Sequence, residues 1–205
     1  MNKKHLLAFA IAAIVSGCAS NPHFATTEQS SGLGKGQVVT LEDNPFNLSG
    51  SALNVGDDMP SALLKDQAFG DHDTAKNSEH VRIYSIMPSI DTPVCDQQAH
   101  ELSEFVETHP EPNIDFYAVS ADTPFAQANF KKDAKITDKV TFLSDARSHD
   151  FGASTGTQID ALGLLTRTII VVGKDSKVLH IQRVPELTTV PDLVKAVEIA
   201  QKAAS

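Results

Sequence analysis

The sequence predicts an α/β layered domain over residues 38–205, with a mixed central sheet flanked by helices and an N-terminal β-hairpin. Three observations predict it. Strand-like and helical stretches alternate through the middle of the chain, the pattern of a layered α/β domain. A second strand pair joined by a Gly-containing turn follows, and then a striped terminal helix. The composition, 41% hydrophobic and 21% charged over 205 residues, suits one globular domain and a tail.

Taken in order, Val38–Leu41 and Pro45–Leu48 flank Asp43-Asn44 and read as a hairpin. Gly56-Asp57-Asp58-Met59-Pro60 reads as a loop, and so does the polar segment Gly70–His80. Val81–Met87, VRIYSIM, is rich in β-branched and aromatic residues and is stopped by Pro88. Cys95–Glu107 reads as a helix, because Ala99, Leu102, Phe105 and Val106 form one stripe of a 3.6-residue period. Ile114–Ser120 is a strand, Pro124–Lys131 a short helix with proline at its start, and Val140–Leu143 a short strand. Thr168–Val172 and Val178–Val184 flank Gly173-Lys174-Asp175 as a second hairpin. Pro191–Ala203 is the terminal helix, with Leu193, Val194, Val197 and Ala200 on its apolar side. This is the element order of the thioredoxin-like fold, which by itself names no activity.

The first 37 residues have a different character. Lys3 and Lys4 precede a ten-residue apolar run, Leu6–Val15. That run is too short to span a bilayer and fits the hydrophobic region of a secretory signal peptide over residues 1–17. The following Val15-Ser16-Gly17-Cys18 resembles the lipobox of bacterial lipoproteins. The resemblance implies cleavage before Cys18 and lipidation of it, hence a membrane attachment on the periplasmic side of a bacterial envelope. Ala19 after the cysteine implies the outer membrane. Without lipidation, the segment is an ordinary cleaved signal peptide. Residues 18–37 are small and polar without a period and read as a flexible tether reaching roughly 25 Å. The net charge of -9 excludes an extended basic surface for nucleic acid.

Cysteine counting then isolates one residue. With Cys18 lipidated, Cys95 is the mature chain's only thiol, so no disulfide can form within it. Cys95 stands at a helix start, where free amides and the positive dipole end favour an anion and so the nucleophilic thiolate. Thr92 could place a hydroxyl near the sulfur, and Pro88 and Pro93 stiffen the turn. On this setting alone, a buried small hydrophobe is an equal reading.

The surrounding residues carry a resemblance. Pro88, Thr92 and Cys95 reproduce P-x-x-x-T-x-x-C, which resembles the active-site motif of peroxiredoxins. Ser89–Cys95 (SIDTPVC), Ser120–Gln127 (SADTPFAQ), Leu165–Val172 (LTRTIIVV) and the N-terminal hairpin resemble the thiol peroxidase branch, from about Val38 to the C-terminus. The resemblance implies an oxidoreductase that reduces hydrogen peroxide and organic hydroperoxides, needs no cofactor or metal, and forms a homodimer. It implies that Cys95 is the peroxidatic nucleophile, that Thr92 bonds the thiolate and the peroxide, that Arg167 holds the charge, and that Pro88 shields the pocket. Read without it, Arg167 is a surface arginine at a strand start.

One position departs from the branch. Most thiol peroxidases carry a resolving cysteine in the helix after SADTPFAQ, and here that place is Lys131 in Asn129-Phe130-Lys131. The expected cycle therefore uses one cysteine, with an external small thiol or thioredoxin-like protein as reductant. Rival readings are weaker. Cys95-Asp96-Gln97-Gln98 lacks the C-x-x-C of a disulfide oxidoreductase. No spacing marks His100, His149 or His180 as a base for a cysteine hydrolase, or His72 and His80 as metal ligands. A non-catalytic thioredoxin-fold lipoprotein, acting as redox sensor or binding module, is the alternative from another class.

Overall fold

The computed structural model describes residues 23–205. The expected signal peptide over residues 1–17 and the expected lipidation site Cys18 lie outside the described residues. The elements run β1 (Thr26–Thr27), β2 (Val38–Leu41), β3 (Asn44–Ser49), β4 (Leu63–Lys65), β5 (Asp71–Asp73), β6 (Val81–Ile86) and α1 (Pro93–Thr108). Then follow β7 (Ile114–Ser120), α2 (Pro124–Asp133), β8 (Val140–Ser144), α3 (Asp150–Thr155), β9 (Gln158–Ile159) and β10 (Leu164–Leu165). The chain closes with β11 (Thr168–Val172), β12 (Val178–Arg183), β13 (Val190–Pro191) and α4 (Leu193–Ala204).

The central sheet has seven strands in the order β12-β11-β6-β7-β8-β4-β5. β6, β7 and β8 are parallel, and β11, β12, β4 and β5 add antiparallel partners at the two sides. This is the mixed sheet of a thioredoxin-like fold. All six residues of β6 are buried, as a central strand covered on both faces requires. Ile83 and Val81 pack on one side with Leu102 and Val106 of α1 and Val197 and Ala200 of α4. Tyr84 and Ile86 pack on the other with Phe151 of α3, Leu64 and Leu165.

Several expectations need correction. The N-terminal hairpin turns at Glu42-Asp43, one residue earlier than expected, with φ of 50° and 64°. Two residues at positive φ make the turn whose twist matches a two-residue hairpin. Residues 71–73 are strand β5 rather than loop, because they pair with β4. α4 begins at Leu193, with Asp192 as its N-cap accepting from the Lys195 amide, and Pro191 belongs to β13. Val194, expected on the apolar side, is 61% exposed, and Ala196 takes its place. Its stripe is thus Leu193, Ala196, Val197 and Ala200, at helical spacing.

The largest difference lies in residues 23–37, expected as part of a free tether. β1 pairs in parallel with β13, the Ser31 amide donates to the Arg183 carbonyl at 3.0 Å, and Leu33 is buried. Gly34 donates to the Gly156 carbonyl at 2.9 Å. Gly156 ends α3 at φ 71°, and a Cβ there would meet the Gly34 backbone nitrogen at 2.5 Å, so the close approach demands glycine. Backbone pairing and one buried leucine hold a segment whose composition looks like a linker.

Candidate active site

The site is assembled where β6 ends. Pro88 is buried immediately after it, and residues 89–92 loop into α1. α1 starts two residues before the expected Cys95, because Pro93 occupies its first position and Thr92 its N-cap. Proline suits that place, having no amide to leave unpaired. Cys95 thus falls in the first turn, and its amide donates to Thr92 Oγ1 at 3.4 Å. The same hydroxyl donates to the Ser89 carbonyl at 3.4 Å. The Thr92 hydroxyl is therefore engaged with backbone on both sides, and neither contact is to the sulfur.

Asp122, in the loop after β7, fixes the approach to α1. Its carboxylate accepts from Ser89 Oγ at 3.0 Å and from the Ile90 amide at 2.9 Å. Its own carbonyl accepts from Ser144 Oγ at 2.6 Å. The SADTPFAQ stretch thereby holds the SIDTPVC stretch: two motifs read separately in the sequence are one bonded unit.

β11 delivers Arg167. Thr168 pairs with Ile86, so Arg167 lies just beyond the pairing, where the chain leaves β6 for Cys95. Arg167 Nη2 donates to Cys95 Sγ at 3.4 Å, Nη1 to Gln98 Oε1 at 2.6 Å and Nε to the Leu187 carbonyl at 3.1 Å. The surface arginine that local context suggests is instead 2% exposed. Among the described residues no carboxylate pairs with it. A buried guanidinium with only neutral partners favours negative charge on the adjacent sulfur. Cys95 itself is fully buried and belongs to the core cluster with Ala99 and Leu102. Cys95 is thus a small side chain of the core that also contacts the Arg167 guanidinium.

Gln98 is the site residue that the sequence reading missed. It is 3% exposed, and its amide nitrogen donates to Ser85 Oγ at 2.7 Å and the Ile86 carbonyl at 3.3 Å. β6 thus orients Gln98, and Gln98 orients Arg167. The signal was present: Gln98 is a polar residue on the stripe of Cys95, Ala99 and Leu102.

An open cleft of about 660 Å³ lies beside the thiol, lined by Ile90, Thr92, Pro93 and Phe130 among others. Cys95 does not line it, and its side chain is fully buried. The described histidines make no bond to Cys95: His100 Nδ1 faces the Asp96 carbonyl at 2.9 Å, and His72 Nε2 lies 3.1 Å from the Tyr84 hydroxyl. Among the described residues no group of three His, Cys, Asp or Glu is placed to hold a metal. Lys131 lies on α2, with its ammonium donating to the Val140 carbonyl at 2.9 Å and paired with Asp138 at 3.2 Å.

Comparison with known proteins places this geometry. The Redoxin family profile matches residues 54–197. The chain is 36% identical over 163 residues to a thiol peroxidase of Bacillus subtilis, covering 80% of this chain and 96% of that one. It is also 36% identical over 167 residues to a thiol peroxidase of Halalkalibacterium halodurans, covering 80% and 98%. Among solved structures, a peroxiredoxin-like protein from Aquifex aeolicus superposes with a TM-score of 0.76 at 31% identity, covering 83% of this chain and 99% of that one. A thiol peroxidase from Chromobacterium violaceum shares the fold at a TM-score of 0.72 and 19% identity, over 83% and 99%.

Proposed function

The chain belongs to the Redoxin family, in its thiol peroxidase branch, and we propose from that premise that it reduces peroxides by a one-cysteine cycle centred on Cys95. The family supports a peroxidase that works through a catalytic cysteine. The observation that carries the finer reading is the buried Arg167 guanidinium, 3.4 Å from Sγ and with no carboxylate partner among the described residues. Cys95 thiolate attacks the terminal oxygen of a hydroperoxide, the O–O bond breaks, and the electron pair leaves on the other oxygen, the one bearing the substituent, which takes up a proton as alcohol or water. Arg167 stabilises the charge that moves from sulfur to the leaving oxygen. Thr92 caps the turn that carries the sulfur, and Pro88 closes the pocket behind it.

The product is a Cys95 sulfenic acid. Cys95 is the free thiol among the described residues, and Lys131 stands where the resemblance to the thiol peroxidase branch would put a resolving cysteine. An external thiol therefore attacks the sulfenic sulfur, releasing water and leaving a mixed disulfide. A second thiol then releases Cys95. Because the sulfur is fully buried, both reactants reach it only when the groups that cover it move.

Peroxide turnover by residues 23–205 tests the cycle. Turnover requires Cys95 and an external thiol, and Cys95→Ser removes it. Rapid consumption by the Cys95→Ser protein would sink the assignment. The complete burial of Cys95 favours one rival, a sensor oxidised once per chain. A burst of one equivalent followed by no turnover in excess thiol would select it. The proposed location is the bacterial envelope, with the domain lipid-anchored through Cys18. Labelling with a fatty-acid analogue in cells, lost in Cys18→Ser, checks this.

A further inference from the structure

Cys95 is fully buried, and the first turn of α1, which carries it, is weakly closed from within. The first amides of a helix have no partner inside it. Here the cap is long, 3.4 Å from the Cys95 amide to Thr92 Oγ1, where ordinary N–H···O bonds span about 2.7–3.2 Å. Firmer ties come from outside the helix. On the core side, Gln98 bonds Ser85 and Arg167. On the outer side, the Phe24 amide donates to Gln97 Oε1 at 2.7 Å, and Gln97 Nε2 donates to the Phe24 carbonyl at 2.9 Å. Gln97 Nε2 also donates to Glu101 Oε1 at 2.8 Å, which fixes the plane of the amide. Phe24 is itself held in place. The Val190 amide donates to the neighbouring Ala25 carbonyl at 2.9 Å, and Thr26 and Thr27 pair with Val190 and Pro191 of β13. Through Phe24, the start of α1 is tied to β13.

This tie is also placed to let go. Phe24 and Gln97 are half-buried, and Ala25 and Thr26 are exposed. Two such bonds open locally without unfolding the domain. We propose that residues 23–27 are a latch on the turn that carries Cys95, and that Gln97 is the positioning residue through which the latch acts. With the latch shut, the first turn of α1 stays wound and Sγ stays in the core beside Arg167. With Gln97 released, the turn frays and Sγ meets solutes. A segment whose composition looks like a tether thereby sets how fast the thiol is reached. The inference rests on Cys95 as the reacting thiol and adds a control on its access.

The test is the rate at which iodoacetamide alkylates Cys95 in the full chain without denaturant. It is read on the Cys95 peptide by mass spectrometry, so that Cys18 does not enter. Gln97→Ala raises that rate about tenfold, the effect of losing two half-exposed hydrogen bonds. Phe24→Pro lacks the amide that donates to Gln97 but keeps the carbonyl, and raises it about threefold. Because both changes act through one tie, adding Phe24→Pro to Gln97→Ala changes nothing more. Phe151→Leu controls for general loosening: it thins the core on the other face of the sheet, lowers the urea midpoint and leaves the rate unchanged. A rate unmoved by Gln97→Ala overturns the latch. So does a further rise on adding Phe24→Pro, which puts the segment's effect somewhere other than Gln97. So does a Phe151→Leu protein alkylated as fast as Gln97→Ala for an equal loss of urea midpoint. None of these rates requires peroxide turnover. A latch that fails leaves the one-cysteine cycle standing, and a wild-type protein without turnover removes that cycle while the alkylation rates still decide the latch.

Discussion

Three of the largest fully buried side chains are arginines: Arg82, Arg167 and Arg183. Arg82 donates to the Thr74 and Lys76 carbonyls and to Ser176 Oγ, and Arg183 to the Gly32 and Val38 carbonyls. Those two have structural acceptors only, whereas Arg167 alone spends a donor on sulfur. Arg167→Gln should therefore lower kcat/KM for peroxide by about 10²–10³, read in a single-turnover assay of sulfenic acid formation. Gln98→Ala leaves a buried guanidinium donor unpaired, at a cost of about 1–3 kcal/mol in urea unfolding. It also slows Cys95 oxidation about tenfold, since an unoriented guanidinium stabilises charge less well. Stability loss with an unchanged oxidation rate would mean that Gln98 only fills space. Cys95 stands at a helix start in the sequence with Thr92 three residues before it, a local setting that leaves a buried small residue an equal reading of the thiol. Gln98 shows in the sequence only as a polar residue on a buried stripe, because its partners Ser85 and Arg167 lie 13 and 69 residues away.

The elements that set up the site are α1 and the segment that crosses it. Residues 23–33, read from composition as tether, reach the first turns of α1 through Phe24 and Gln97. The Phe24 amide donates to Gln97 Oε1 at 2.7 Å, and Gln97 Nε2 donates back to the Phe24 carbonyl at 2.9 Å. Gln182 Nε2 then holds the Thr27 carbonyl at 2.6 Å. Gln97→Ala removes both bonds to Phe24 while leaving β1 paired with β13. Amide exchange should then rise at Phe24 and in the first turn of α1, by at least tenfold, with little change near Leu33. Unchanged protection at Phe24 would show that β-pairing alone secures the segment. The helix and strand centres were readable from period and residue type, and β7 and β11 match their expected limits. The short strands β1, β4, β5, β9, β10 and β13 were not readable, since two or three residues carry no period and exist only through their partners.

Across the whole molecule, half-buried histidines tie stability to pH. Burial, then the Arg82 charge, lowers His72, and burial, then Lys195, lowers His180. Below about pH 6.5 the unfolded chain takes up protons that the native state refuses, so stability is present above that pH and falls as pH drops through it. The urea midpoint should therefore decline from pH 7.5 to 5.5. His180→Leu should flatten the decline and add about 1 kcal/mol, because His180 Nε2 is buried without a partner. A midpoint independent of pH over that range contradicts this. Asp145 acts in the opposite direction at lower pH: burial raises it, so its contribution falls as pH rises through the range above its ordinary value. The same division between local and distant determinants runs through the molecule. The sequence by itself determined the mixed α/β order and the thiol at a helix start, because each depends on neighbouring residues. Tertiary structure decided the rest: that Arg167 is buried against Sγ, that Gln98 aims it, that the N-terminal segment crosses α1, and that the thiol is covered. Those facts depend on β11 pairing with β6 and β1 with β13, contacts between residues far apart in the chain that no local pattern encodes.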